Sequence, residues 1–213
     1  MLTRDEIGEV LKVLKKEYGN TGTALKFQTP FQLLVSTMLA AQSTDMQVNK
    51  ITRELYRKYP DAAAFARLSP EELEKEIRSI GLYRNKARNI IAMSRMLMEK
   101  YDGEVPQTRQ ELVKLPGVGR KTANVVLSVG FNQDAIAVDT HVFRVSNRIG
   151  LANAPNVEKT EQQLMENIPR QEWSAAHHWL IWHGRKICRA QNPRCEVCPL
   201  KDWCEYYRQT SQT

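Results

Sequence analysis

Apolar residues recur at helical spacing along most of the chain. Near the N-terminus, Ile7, Val10 and Leu11 follow this spacing, and Thr3 with Glu6 forms the sequence signature of a capping box in front of them. A stripe of apolar side chains on one face indicates a helix that packs on a core. The same pattern returns in later segments, so helices dominate the predicted structure.

Ten segments carry this helical pattern, with ends marked by capping residues, prolines or glycines. Segment 29–41 is apolar nearly all round, which indicates a buried central helix. Only 135–138 has the composition of a short strand, and this one segment does not outweigh the helical ones. The sequence therefore predicts an all-α fold. The predicted helices cover residues 3–18, 29–41, 45–59, 69–81, 84–100, 108–116, 120–129, 139–149, 156–168 and 173–187.

The composition is typical of a soluble globular protein, with 42% hydrophobic and 26% charged residues. The longest mostly apolar stretch, 29–43, contains Gln32 and Gln42 and is too short and too polar for a membrane span. The N-terminus lacks the apolar core of a signal peptide, so we expect a cytoplasmic protein without a membrane partner. The net charge of +7 favours nucleic acid or another polyanion as partner.

Four cysteines lie close together near the C-terminus. Cys188, Cys195, Cys198 and Cys204 are separated by six, two and five residues. In a reducing compartment this grouping predicts a metal site rather than disulfides. The spacing alone favours neither a single Zn²⁺ nor a [4Fe–4S] cluster, because both take four cysteines.

The loop between the first two cysteines is short and basic. It contains Arg189 and Arg194, and ligands on either side would hold it rigid. A solvated loop could carry the same residues, but we expect these arginines to contact nucleic-acid phosphates, which would give binding a salt-dependent contribution.

The string LPGVGRKTA joins two predicted helices. Gly117 and Gly119 allow a tight turn and a close backbone approach, and Val118 would anchor the turn on the core. The amides at the start of the next helix lack intrahelical partners and lie at the positive end of its dipole, which makes a surface for phosphate. A plain connection between helices could carry the same glycines, but the basic Arg120 and Lys121 favour DNA binding.

This string resembles the helix-hairpin-helix motif of DNA repair proteins. Asp139 follows Lys121 by 18 residues, enough for the chain to finish a helix and return to face it across a cleft. Taken singly, Asp139 is a helix N-cap and Lys121 a solvated lysine. Together with the hairpin they resemble the endonuclease III family, and the strings LAAQSTD, IGLY and VDTH and the cysteines follow that family's order over essentially the whole chain. Ala41 and Ser43 are minor departures from the family's pattern.

The resemblance implies a DNA glycosylase with AP lyase activity that repairs oxidised pyrimidines in damaged double-stranded DNA. Lys121 would be the nucleophile, forming a Schiff base with the opened sugar and allowing β-elimination on the 3′ side. Asp139 would either stabilise the cationic sugar or activate the amine, and the residue types leave both roles open. Because the family carries a [4Fe–4S] cluster on the same cysteine spacing, the resemblance favours that cluster over zinc.

The resemblance also implies how a stacked base is reached, since the base must leave the duplex. Gln42 and Leu82 would fill the space that the base vacates, and Asp45 and His141 would line the pocket or its mouth. A helical domain over 22–133 would hold the hairpin.

The remaining segments, 1–21 and 134–213, would form the cluster domain. We expect a monomer, associated with the nucleoid if the source is bacterial.

Two other functions are compatible with parts of this pattern. A related glycosylase for mismatched adenine or thymine is expected to lack a lysine at the position of Lys121. A non-catalytic DNA-binding module with a structural metal would need the hairpin and the cysteines but neither Lys121 nor Asp139. A nicking assay on an abasic duplex, with and without Lys121→Ala, separates the three functions.

Overall fold

The computed structural model describes residues 1–211 and confirms the predicted all-α fold. Twelve α-helices make up this part of the chain, and no strand forms within it. None of its helices is long and apolar enough to cross a membrane. The helices are α1 (Arg4–Tyr18), α2 (Pro30–Ala40), α3 (Asp45–Lys58), α4 (Ala62–Ala66), α5 (Pro70–Glu76), α6 (Tyr83–Lys100), α7 (Arg109–Leu112), α8 (Arg120–Val125), α9 (Thr140–Ile149), α10 (Val157–Asn167), α11 (Trp173–Lys186) and α12 (Glu205–Thr210).

The chain divides into two compact units. One consists of Thr23–Asn132 and contains α2 to α8. The other consists of Met1–Gly22 together with the chain from Gln133 onward, and it contains α1 and α9 to α12. The second unit is therefore discontinuous in sequence.

The core of the continuous unit is built around α2. Thr29 caps the helix by accepting a hydrogen bond from the amide of Gln32, and Pro30 occupies the first helical position. Nearly every residue over 31–39 is buried, which agrees with the predicted central helix. Helices α3, α6 and α8 all pack against α2. This buried helix therefore holds the three turns that lead into them.

In the discontinuous unit, α11 packs against both α1 and α9. Thr3 and Glu6 form the predicted capping box at the start of α1, each accepting a hydrogen bond from the other's amide. Val10 of α1 lies in the same buried core as Val142 of α9 and Leu180 of α11. This packing fixes the start of α9 and the end of α11, where several predicted site residues lie.

The structure differs from the sequence-based prediction in a few segments. Helix α8 continues as a π-helical turn over Val126–Gly130 rather than as α-helix, in a run rich in valines, whose branched side chains disfavour α-helix. The predicted helix 69–81 is helical only within α5, and 135–138 has no regular structure. Helices α4 and α12 were not predicted, because such short segments hold too little periodicity.

Candidate functional site

The hairpin between α7 and α8 is a tight turn whose apolar residues are buried. Leu115 and Val118 are 2% and 6% exposed, and the amide of Val118 donates to the carbonyl of Leu115 at 3.1 Å. Gly117 has a φ of +75°, and a Cβ added there would lie 2.8 Å from Cβ of Asn89. Gly119 has an ordinary φ of −92° and open space at its Cβ position. The turn itself therefore requires glycine at 117 and does not require it at 119.

Arg120 and Lys121 are exposed in the first turn of α8. Gly119 is the N-cap and has no side chain with which to cap the helix. Ala123 and Asn124, which follow Arg120 and Lys121 in the helix, are buried. The helix is therefore anchored in the core while its first turn faces solvent. The hairpin thus presents two basic side chains beside a helix start, an arrangement suited to phosphate groups.

Asp139 is the N-cap of α9. Its Oδ1 accepts a hydrogen bond from the amide of Val142 at 2.8 Å, which agrees with the simplest interpretation of its sequence position. Val138 in front of it is 3% exposed, so the approach to the helix is fixed. The cap sets the direction of a carboxylate that is still partly exposed. Lys121 and Asp139 belong to different units.

His141 lies in the first turn of α9, and its Nδ1 is 3.1 Å from Nη2 of Arg144. Arg144 also donates to the carbonyl oxygens of Gly184 at 3.2 Å and Cys188 at 3.0 Å. This arginine, which sequence analysis did not single out, ties α9 to the end of α11 and to the first cysteine. Its sequence signal is the spacing of three residues from His141, which places both on one helical face.

Gln42 and Leu82 are exposed residues that both adopt a left-handed backbone conformation, each with a φ of 57°. Leu82 is 61% exposed although it is large and apolar. The turns that carry the two residues are in contact, because a Cβ added at Gly81 would lie 3.3 Å from the carbonyl oxygen of Gln42. Asp45 follows in the first turn of α3 and is partly exposed. The structure therefore brings the two predicted space-filling residues onto one surface.

The four cysteines line one cavity and form no disulfide. Burial raises the pKa of Cys198 to about 11 and also raises the pKa of Cys195 and Cys204, and neighbouring thiols add to each increase. Ligation needs thiolates, so binding must displace these protons. Within residues 1–211, no three His, Cys, Asp or Glu side chains are grouped so that they could hold a single metal ion. Four thiols around one cavity are the ligand set that a [4Fe–4S] cluster takes.

Nitrogen atoms of two side chains lie near two of the sulfur atoms. Nε2 of His183 lies 3.6 Å from Sγ of Cys198, and its Nδ1 lies 3.1 Å from the hydroxyl of Tyr18. Burial lowers the pKa of His183 to about 4, and a neutral ring that accepts the Tyr18 proton at Nδ1 carries its own proton on Nε2, facing sulfur. Nη1 of Arg148 lies 3.7 Å from Sγ of Cys188. The sequence pattern does not single out His183 as a partner of the cysteines, and the structure adds this contact.

The basic loop between the first two cysteines is held by its main chain. Arg148 donates to the carbonyl oxygens of Arg189 at 2.7 Å and Ala190 at 3.1 Å, and the amide of Arg194 donates to the carbonyl of Ile187 at 3.0 Å. The side chains of Arg189 and Arg194 remain exposed. The loop therefore presents two cations on a fixed backbone.

Two family models match this chain. The one described as HhH-GPD superfamily base excision DNA repair protein matches residues 35–170, which include the hairpin and Asp139. The one described as the iron-sulfur binding domain of endonuclease III matches residues 188–204. Because the second match begins and ends on the outer cysteines, it confirms the predicted iron–sulfur cofactor.

Individual relatives agree with these matches over the whole chain. Endonuclease III of Bacillus subtilis (strain 168) is 48% identical over 205 residues, which cover 96% of this chain and 94% of the relative. A solved non-covalent endonuclease III–DNA complex is 48% identical, covers 100% of both chains and has a TM-score of 0.94. A trapped endonuclease III–DNA covalent intermediate is 49% identical, covers 99% of this chain and 100% of the other, and has a TM-score of 0.94. The chain therefore belongs to the endonuclease III family of the HhH-GPD superfamily and is a DNA glycosylase/AP lyase of base excision repair.

Proposed function

We propose that the enzyme removes oxidised pyrimidines from damaged double-stranded DNA and cleaves the strand on the 3′ side of the abasic site, with Lys121 as nucleophile. The observation that carries this proposal is the exposed position of Lys121 in the first turn of α8, beside a hairpin suited to phosphates. The relative that was trapped as a covalent intermediate with DNA supports it, because such an intermediate needs a nucleophile on the protein.

In the proposed reaction the neutral amine of Lys121 attacks C1′ of the sugar. The bond between C1′ and the base breaks, and the base leaves with that electron pair and takes up a proton. The sugar ring then opens as its oxygen leaves C1′ and is protonated, which gives a Schiff base between C1′ and Nζ. The Schiff base acidifies the proton on C2′. Loss of that proton expels the 3′ phosphate from C3′, and water later hydrolyses the Schiff base and frees the lysine.

Asp139 assists this chemistry through its negative charge. The carboxylate either stabilises the cationic sugar of the transition state or helps to take a proton from the amine. The hydrogen bond from the amide of Val142 holds the carboxylate in one direction, which favours a fixed electrostatic partner. A fixed charge needs no reorganisation as the positive charge develops.

The proposed DNA surface has three parts. The hairpin residues Gly117, Val118 and Gly119 bring main-chain groups to the phosphates, and the exposed Arg120 adds a cation. Gln42 and Leu82 fill the space left by the extruded base, and Arg189 and Arg194 bind phosphates further along the strand. Asp45 and His141 line the pocket.

When bound, the [4Fe–4S] cluster supplies a cross-link between the end of α11 and the C-terminal segment. Arg148 already ties the loop that follows Cys188 to α9, and the cluster would fix both ends of that loop. We assign the cluster this structural role, and we propose that the enzyme works as a monomer in the cytoplasm, at the nucleoid in a bacterium.

Borohydride trapping on abasic duplex DNA tests the nucleophile. Wild-type protein and Lys114→Ala should both give a covalent adduct, because Lys114 is an exposed lysine of the same hairpin that pairs with Glu111 instead. Lys121→Ala should give none. Trapping that persists in Lys121→Ala would assign the reaction to another residue. A panel of duplexes with oxidised pyrimidines, mismatched adenine or mismatched thymine then tests the proposed substrate.

A further inference from the structure

Lys86 is a buried lysine to which the proposed reaction gives no part. It lies in α6, one turn after Leu82, and is only 7% exposed. Its Nζ donates to the carbonyl oxygen of Leu39 at 2.8 Å and also to that of Ala41. A buried ammonium is costly unless it is compensated. Here the compensation comes from the last carbonyls of α2, at the negative end of the helix dipole.

These bonds connect Lys86 to both turns of the proposed space-filling pair. Its side chain holds the carbonyl of Ala41, the residue directly before Gln42. Its amide donates to the carbonyl of Leu82 at 3.1 Å, which is the first helical hydrogen bond of α6. One residue therefore bonds to the backbone on the N-terminal side of Gln42 and to the backbone of Leu82.

Both turns need such support, because each places a residue other than glycine in the left-handed region. That conformation is unfavourable for a residue with a Cβ and persists only where the surroundings enforce it. Packing at the contact between the turns is close, since a Cβ at Gly81 would approach the carbonyl oxygen of Gln42 to 3.3 Å. Leu82 lacks a side-chain cap bond, so its position depends on these backbone contacts.

We propose that Lys86 is a positioning residue that sets the spacing of Gln42 and Leu82 and so supports extrusion of the target base from a duplex. This inference rests on the proposed role of those two residues. Lys86 touches neither DNA nor the reacting atoms in this scheme. Its loss should therefore impair steps that need the pair and spare the chemistry at the sugar.

The test compares kcat/KM on an oxidised pyrimidine in a duplex with kcat/KM on the same lesion in a single strand, where no stacked pair has to be opened. For Lys86→Met the ratio of duplex to single-strand activity should fall about 10- to 100-fold, since misplacement by about 1 Å has effects of that size. Lys100→Met, the same exchange at the exposed end of α6, should keep the wild-type ratio. Both activities are measured on the same enzyme preparation, so the fraction of folded protein cancels in the ratio.

An unchanged ratio in Lys86→Met would overturn the inference. If that variant yields no folded protein, Lys86→Arg takes its place, because it keeps the charge but changes the spacing of the donors. Its ratio should fall by a smaller factor, and an unchanged ratio would again overturn the inference.

Leu82→Ala separates this outcome from failure of the proposed function. If Leu82→Ala keeps the wild-type ratio, the space-filling role itself is wrong. If Leu82→Ala lowers the ratio and the Lys86 variants do not, only the role of Lys86 is wrong.

Discussion

Gly117 and Gly119 occupy the same hairpin, but alanine should lower the stability of the protein far more at position 117 than at position 119. Gly117→Ala should lower the free energy of unfolding by about 2–5 kcal/mol. Gly119→Ala should change it by less than about 1 kcal/mol. The two exchanges add the same methyl group two residues apart, so each serves as the control for the other.

The difference follows from the backbone and the space at each glycine. At Gly117 the φ of +75° costs alanine about 1–2 kcal/mol, because its Cβ disfavours the left-handed region. The new methyl would also lie 2.8 Å from Cβ of Asn89 and 2.9 Å from Cε of Met38, and overpacking of this kind costs about 1–3 kcal/mol. At Gly119 neither penalty applies, since its φ is −92° and no atom lies within 4 Å.

Urea unfolding of the two variants and the wild type, followed by far-UV circular dichroism, measures these changes. All three proteins carry the same cluster, so any contribution from its loss is shared. The effect on DNA binding should not follow the effect on stability. Gly119→Ala should weaken binding to an abasic duplex in a fully folded protein, because its methyl projects into the open space proposed for phosphate.

Two results would refute this reasoning. A loss of less than about 1 kcal/mol in Gly117→Ala would mean that the turn relaxes without cost. Equal losses in both variants would mean that the hairpin responds to any methyl group, whatever its φ and surroundings.

Three further predictions concern the other parts of the site. Asp139→Asn should keep the N-cap and stay within about 0.5 kcal/mol of wild-type stability, yet lose about 10²-fold in activity on duplex substrate; a variant with full activity would exclude a role for the charge. Arg189→Ala and Arg194→Ala should each reduce the slope of log K against log salt by about 1, and an unchanged slope would remove that arginine from the DNA surface. Burial lowers the pKa of His178 to about 4 from 6.5, so the unfolded chain takes up a proton first as the pH falls. Stability should therefore fall between pH 6.5 and pH 4, by up to about 1.4 kcal/mol per pH unit, and equal urea midpoints at pH 7.5 and 5.0 would contradict this.

Local signals in the sequence predicted much of the fold. Thr3 and Glu6 form their capping box from contacts within one helical turn, and Pro30 opens α2 because its ring favours the first helical position. The left-handed turn at Gly117 is likewise a local property. Such features depend on neighbours in sequence, so they can be predicted without knowledge of the tertiary structure.

Other features depend on contacts between distant segments. Nothing local in the strings around Gln42 and Leu82 requires a left-handed backbone, and packing of the two turns imposes it. Lys86 stands among exposed basic residues in the sequence and looks solvated. Helical periodicity could have located it, because it precedes the buried Ile90 by four residues and Met93 by seven, which places all three on one face.

The backbone at Gln42 and Leu82 also bears on how such a chain can vary over evolution. Glycine would adopt a φ of 57° without steric penalty, and asparagine is the next most tolerant residue there. Selection for stability alone would therefore draw both positions towards those two residues. A glutamine and a solvent-facing leucine in this conformation run against the preference of the backbone, at a small cost in stability. In related sequences, glycine at either position should accordingly accompany higher stability and, on the proposed space-filling role, lower activity on duplex DNA.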